Sequence, residues 1–141
     1  MSPIQRTLNW LRERGYEAQK TEHFNWHAKV RQDLFGFIDV LAVGENDMIA
    51  IQSSDGAHHA AHRQKILDSR AAQLLAMFGV DVEIWSWSLK LSGKRRKDGL
   101  LVRQKEQILR RESLTIKLSK KAVVSREFDK KKTLAKVKSA A

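Results

Sequence analysis

The sequence predicts a mixed α/β domain carrying a basic C-terminal extension. Three observations predict it: an amphipathic first helix, two apolar strand-like runs four residues apart, and a long helical pattern that leads into another strand. Ser2-Pro3 supplies an N-cap followed by proline at the first helical position, and Ile4, Leu8 and Leu11 recur at helical spacing before Gly15. Tyr16 to Phe24 is strand-like, and Asn25 to Gln32 reads as turn or loop. Phe35 to Val43 is a near-continuous apolar run, as expected of a strand buried on both faces. After the turn signal Gly44-Glu45-Asn46-Asp47, a second buried strand covers Met48 to Ser53, and strands so close in sequence pair as an antiparallel hairpin. Asp55-Gly56 breaks that strand. One helix is expected from Ala57 to Phe78, with Leu67, Ala71, Leu74 and Phe78 as its apolar stripe and Gly79 closing it. Val80 to Leu89 reads as a strand and Gly93 to Gly99 as an exposed basic loop, while Leu100 to Leu109 fits strand or helix equally. The expected order is αβββαβ around a mixed sheet, with a core over 1–90, a basic loop and one more element over 91–118, and a basic tail over 119–141.

Composition narrows the class. With 42% hydrophobic residues, including four Trp and five Phe, the 141-residue chain can fill one core, which argues against wholesale disorder. The absence of cysteine excludes disulfides and thiolate metal sites and fits a reducing, cytoplasmic setting. No apolar run approaches the ~18 residues of a membrane helix, and Met1 to Gly15 has the charged look of a folded helix, not of a signal peptide. No glycine–lysine loop of the nucleotide-binding type is present, so no nucleotide cofactor is expected. The net charge of +11 is unevenly spread: residues 1–89 carry 9 Lys/Arg against 11 Asp/Glu, whereas residues 90–141 carry 18 against 5. A near-neutral core with a strongly basic extension points to a polyanionic partner, DNA or RNA on charge alone, with a merely solubilising or a ribosome-associated tail as the bland alternative. Lys94, Arg95, Arg96 and Lys97 in the basic loop are the first candidates for contact.

The chemistry centres on Asp39, a carboxylate in an otherwise apolar strand, which costs several kcal/mol to bury unless a cation or hydrogen bonds compensate it. Gln52 and Ser54 share one face of the following strand, and the four-residue turn brings Asp39 opposite or diagonal to Gln52. A carboxylate and a carbonyl oxygen on neighbouring strands suit Mg²⁺ or Mn²⁺, which favour hard oxygen ligands. One carboxylate is a thin claim on a divalent ion, so a further acid is wanted. Glu22 on the preceding strand is the first choice. Asp33 has the parity of Asp39, but six residues of strand put it ~20 Å away, so it joins only if Gly36 bends the chain. Asp55 is equally an N-cap of the long helix.

Ile38-Asp39-Val40, a turn, and Ile49-Ala50-Ile51-Gln52-Ser53-Ser54 before a long helix resemble the PD-(D/E)XK nuclease superfamily, and within it the archaeal-type Holliday junction resolvases and related small phage and bacterial nucleases. The resemblance covers residues 1–90 and implies a restriction-endonuclease-like core, Mg²⁺-dependent hydrolysis of DNA phosphodiesters, branched DNA as substrate, and a homodimer able to nick two strands in a bacterial, archaeal or phage-infected cytoplasm. It makes Asp39 the metal-binding aspartate and puts Gln52 where a second acid usually stands. The motif lysine falls at Ser54. Three readings are open: the lysine has moved to the next helix, where Lys65 is the natural candidate with Arg63 and His59 as alternates; Ser54 and water suffice; or the chain binds DNA without cutting it. Arg63 and His59 are also candidate phosphate contacts.

Three weaker signals have bland counterparts. His58 and His62 are four apart, yet the glutamate of the metalloprotease motif is missing, so the polar start of a helix is the better reading than zinc. Trp85 and Trp87 point the same way from their strand and are expected to pack against a helix more than to stack bases. Trp26, His27 and Lys29 form either a substrate-gripping loop or an ordinary surface loop.

Overall fold

The computed structural model describes residues 1–116, so the expected tail over 119–141 lies outside the described residues. The chain forms α1 (Pro3–Glu13), β1 (Glu17–Lys20), β2 (His23–Asn25), β3 (Val30–Gln32), β4 (Val40–Val43) and β5 (Met48–Asp55), then a short 3-10 turn at Gly56–His58, α2 (His59–Leu67), α3 (Arg70–Met77), β6 (Asp81–Leu91) and β7 (Lys105–Ser113). A five-stranded sheet runs in the order β1-β4-β5-β6-β7, and β2-β3 make a separate hairpin. Only the β5–β6 pair is parallel, as the helical crossover between them requires; the other pairs are antiparallel.

The sheet is packed on both faces. Leu8 and Leu11 of α1 meet Ala18, Val40, Ala42, Ile49, Ile51 and Trp85 on one side, while Ile66 of α2 and Ala72 of α3 meet Phe37, Ile38, Ala50, Val82 and Ile84 on the other. The alternation of side chains therefore sends Ile49 and Ile51 towards α1 and Ala50 and Gln52 towards α2. Ser2 caps α1 as expected, accepting from Gln5 N at 3.1 Å. Ile66 is fully buried and anchors α2; truncating such a side chain to alanine costs about 2–5 kcal/mol.

Three expectations are corrected and one open choice is resolved. The apolar run from Phe35 is not one strand: Phe35 (φ 54°) and Gly36 (φ 79°) form the centre of a tight reversal, with Phe37 N bonded to Leu34 O at 3.3 Å and Leu34 bridging Ile38. Two successive left-handed residues make a turn of the hairpin type, and the second position suits glycine because a β-carbon there is strained. The stretch expected as turn or loop, Asn25 to Gln32, is a turn only over 26–29, and the strands His23–Asn25 and Val30–Gln32 on either side of it make a hairpin. Its turn is fixed by Asn25 Oδ1, which accepts from His27 N and Ala28 N at 3.0 and 3.1 Å. The long helix is broken at Asp68–Ser69, where Ser69 caps α3 by accepting from Ala72 N. This break rotates the stripe, so Ile66 and Ala72 carry the core and Phe78 is 71% exposed. Finally, the undecided segment after the basic loop divides: Leu101 bridges Arg95, and strand β7 begins only at Lys105 and pairs with β6 along its whole length.

Candidate metal centre

Asp39 lies immediately before β4, on the face of the sheet that α2 covers. The register pairs Val40 with Ile51, so Asp39 and Gln52 meet across the strands as the hairpin spacing predicts. Asp39 is only 4% exposed. Its Oδ2 accepts from Gln52 Nε2 at 2.7 Å and from Ser53 N at 2.9 Å. Lys65 of α2 donates from Nζ to Gln52 Oε1 at 3.0 Å. An ammonium can only donate, so Lys65 takes the amide oxygen and the amide nitrogen is left facing the carboxylate. In this arrangement Gln52 bridges Lys65 to Asp39, where the sequence led us to expect its oxygen as a metal ligand.

The additional acids come from the two ends of the small hairpin. Glu22 precedes β2 and Asp33 comes just after β3, and the pairing of His23 with Gln32 brings them together at the hairpin base. The reversal at Phe35–Gly36 then folds Asp33 back alongside Asp39, so the ~20 Å separation expected of an extended strand does not arise. Glu22, Asp33 and Asp39 each present a carboxylate oxygen, and these oxygens lie within 4.8 Å of one another. The Asp39 carboxyl is pushed up to about 8. Burial is the main cause, followed by a hydrogen bond with the Asp33 carboxyl and the charge of Asp33, with a smaller contribution from Glu22; the Ser53 amide opposes them. Three carboxylates gathered in partly desolvated space call for a proton or a cation, and an all-oxygen set of this kind fits a hard divalent ion.

Other sequence candidates are distributed differently. Ser54 is buried and its hydroxyl donates to Asp55 O at 2.7 Å, leaving Lys65 as the cation that reaches Gln52. His59 and Arg63 are committed elsewhere. His59 Nδ1 meets Ser86 Oγ and its Nε2 meets Glu112 Oε2, both at 2.5 Å, while Arg63 grips Glu112 with two bonds of 2.6 Å. Glu112 is held down to about 2, first by Arg63 and then by His59, against the opposing effect of burial. These residues tie α2 to β7, so neither is free as an alternate lysine or as a ready phosphate contact. Asp55 caps the 3-10 turn, accepting from His58 N at 3.0 Å, and its carboxylate also engages the His58 ring. His58 and His62 stand 6.4 Å apart between ring centres and are not part of the acidic cluster.

Trp85 packs edge-on to Trp10 of α1 at 5.0 Å, and Trp87 donates to Thr7 Oγ1 at 3.0 Å, which is the helix-packing role expected of both. Beneath them, buried Glu83 accepts from Trp85 Nε1 and is paired with Arg111 at 3.0 Å. Lys94, Arg95, Arg96 and Lys97 are exposed in the connection between β6 and β7. Trp87 is level with Asp55 at the end of β5, so β6 continues about 13 Å past it at strand spacing before the basic loop begins. Asp39, the end of β5, the β2–β3 hairpin and this basic arm therefore all lie at one end of the sheet.

Sequence reasoning missed Glu112, which carries no local signal, and discounted Asp33. The signal for Asp33 was Gly36 itself, a glycine interrupting an apolar run where only a reversal needs one. No family model, curated protein or solved structure matches the chain. Among the described residues no helix is long and apolar enough to cross a membrane.

Proposed function

We propose that this chain is a metal-dependent endonuclease that hydrolyses DNA phosphodiesters. The observation that carries this reading is the convergence of Glu22, Asp33 and Asp39 beside a Gln52–Lys65 pair. The resemblance to PD-(D/E)XK nucleases supports it, because an acid before one strand of an antiparallel hairpin, a polar residue on the next and a following helix recur here in that order. On this reading the sheet is a restriction-endonuclease-like core, and Mg²⁺ or Mn²⁺ is the cofactor.

Asp39, Asp33 and Glu22 hold the cation, which when bound supplies Lewis acidity and a nucleophile at neutral pH. Gln52 orients two groups at once: its nitrogen fixes Asp39 and its oxygen fixes Lys65. Lys65 stands in for the motif lysine missing at Ser54 and offsets charge that builds on the phosphate as one P–O bond to water forms and one to the sugar breaks. His62, whose pKa is lowered by burial and then by the neighbouring Lys65 charge, stays neutral beside it. The basic β6–β7 connection, at the same end of the sheet, supplies affinity for the polyanion. Branched DNA and a homodimer that nicks two strands are the substrate and assembly that the resolvase likeness favours.

A second reading, a DNA-binding protein on the same fold that does not cut, is favoured by one observation: the motif lysine position is Ser54, whose hydroxyl is committed to Asp55 O. Supercoiled plasmid and a four-way junction, incubated with Mg²⁺ or Mn²⁺, separate the two. Cleavage by the natural chain that is lost in Asp39→Ala supports the nuclease. Binding without cleavage supports the second reading, and cleavage that survives Asp39→Ala refutes the assignment of the site.

A further inference from the structure

The β2–β3 hairpin that brings Glu22 and Asp33 together also carries the most exposed aromatic pair near the cluster. Trp26 is 79% exposed and Phe24 40% exposed, although large apolar rings at a hairpin turn gain nothing from solvent. The two rings meet edge-on, with centroids 4.7 Å apart at 72°, and the Asn25 side chain locks the turn beneath them. The indole is thus held in place by packing without being covered. A cleft of about 330 Å³ opens at this point, lined by Lys20, Glu22, His23, Phe24, Trp26 and Arg31. One wall is a carboxylate of the acidic cluster, another is aromatic, and Lys20 and Arg31 supply positive charge. Arg31 lies 3.2 Å from Glu22 and so spans the boundary between cleft and cluster.

We propose that this cleft binds an unpaired nucleotide of single-stranded DNA, with its base stacked on Trp26 and its phosphate drawn by Lys20 and Arg31. This rests on the nuclease reading for its biological meaning and narrows the substrate to DNA with unpaired bases next to the cut. The physical reason is that bases inside a duplex have both faces covered by their neighbours, whereas an unpaired base offers a free face that any aromatic side chain can stack without reading sequence. Charge complementarity favours the same occupant over an apolar peptide or a second copy of the chain. Because the cleft shares Glu22 with the cluster, a base held there puts its own backbone next to the three carboxylates.

The test measures binding in EDTA, so that it does not depend on cleavage, using fluorescently labelled short oligothymidylate and a blunt duplex with the natural chain, Trp26→Ala and Trp26→Phe. The expected result is oligothymidylate binding weakened about ten-fold in Trp26→Ala, largely recovered in Trp26→Phe, with duplex affinity unchanged. The exposure of Trp26 predicts unfolding midpoints equal among the three proteins. Equal oligothymidylate affinity in Trp26→Ala, or an equal loss for single strand and duplex, overturns the proposal. So does a dimer that Trp26→Ala disrupts while oligothymidylate affinity stays the same, since the cleft would then hold a second copy. Failure of the natural chain to cut DNA with Mg²⁺ or Mn²⁺ would sink the nuclease reading and leave this binding result standing on its own.

Discussion

Replacing Asp39 with asparagine is predicted to stabilise the cation-free protein, by an amount that grows from nothing near pH 4 to its full value above about pH 8. Asparagine keeps an oxygen that can accept from Gln52 Nε2 and Ser53 N, the two donors that now serve Asp39 Oδ2. What it removes is a buried charge that faces Asp33 and Glu22. The Asp39 carboxyl rises from an ordinary 3.8 to about 8 on folding. Between those values the native protein holds a proton that the unfolded chain has released, so native stability falls as pH rises through the window and levels off above it. Four decades at about 1.4 kcal/mol each set an upper bound near 6 kcal/mol, and part of that charge is shared with Asp33, so the expected gain is on the order of 3–5 kcal/mol.

For a chain of this size that amounts to a rise of roughly 10 °C in the unfolding midpoint at pH 9, shrinking towards zero near pH 4. Thermal unfolding of Asp39→Asn and the natural chain in EDTA, across this range, isolates the Asp39 carboxyl together with its coupling to Asp33, because the remaining titrating groups are common to both. A difference that does not change with pH, or an asparagine variant that is the less stable of the two at pH 9, would refute the reasoning. The same two proteins, transferred to buffer without EDTA, test the cation. At a hundred times its dissociation constant a bound ion contributes about 2.7 kcal/mol, and Mn²⁺ should raise the midpoint of the natural chain and leave Asp39→Asn nearly unmoved.

Lys65→Met should cut DNA cleavage by about 10²–10³-fold while preserving the Mn²⁺-induced rise in unfolding midpoint, since Lys65 contacts Gln52 and no acid of the cluster. Gly36→Ala places a β-carbon at φ 79° at a cost of about 1–2 kcal/mol; because this turn delivers Asp33, Mn²⁺ affinity measured by calorimetry should also fall, and unchanged affinity would break the link between turn and cluster. Glu112→Gln should lose about 1–2 kcal/mol of stability in urea at pH 7, a value reduced for solvent screening of the partly exposed pair. Since Glu112 titrates lower in the folded chain, at about 2, that difference is full above its unfolded value and disappears as pH falls towards 2. Removing the residues after Ser119 should weaken DNA binding and flatten its dependence on salt, because fewer counterions are released; an identical salt slope would rule out contact by that segment.

The parts of the fold legible in the sequence are those governed by local pattern. Ser2-Pro3 marks the start of α1, Gly44 to Asp47 marks the β4–β5 turn, and the alternation around Gln52 fixes its face, so the meeting of Asp39 with Gln52 can be derived from spacing alone. The errors arise where hydrophobicity is shared by different backbone shapes. Phe35, Phe37 and Ile38 are apolar whether they extend a strand or wrap a turn, and Phe37 and Ile38 are buried in either case. Only Gly36 distinguishes the two, and it decides whether Asp33 is remote or part of the site. Likewise the helix break at Asp68–Ser69 is hidden because Ser and Asp are tolerated in helices as well as at caps. Glu112 was illegible for another reason: its partners His59 and Arg63 lie 53 and 49 residues away in sequence, and no periodicity relates them.

If the chain is the nuclease proposed, the charge distribution separates two tasks that it has to combine. The cluster of Glu22, Asp33 and Asp39 repels a phosphate, and Lys65 is the one side-chain cation bonded to the Asp39–Gln52 pair among the described residues. Residues 1–89 as a whole carry 9 Lys/Arg against 11 Asp/Glu, so the core cannot hold DNA by long-range attraction. On the nuclease reading that attraction would come from residues 90–141, the basic arm included, where 18 Lys/Arg stand against 5 Asp/Glu. A phosphate brought near by the arm still meets three carboxylates until their charge is balanced. On this reading a divalent cation does more than activate water: by replacing the proton on Asp39 it lowers the repulsion that a phosphate meets at the carboxylates themselves, beyond the Lys20 and Arg31 cleft that holds an unpaired nucleotide without it. DNA binding would therefore be set by salt and the basic residues, and entry into the site by the cation, with the β2–β3 hairpin joining the two because it carries the acids at its base and the exposed aromatics at its tip.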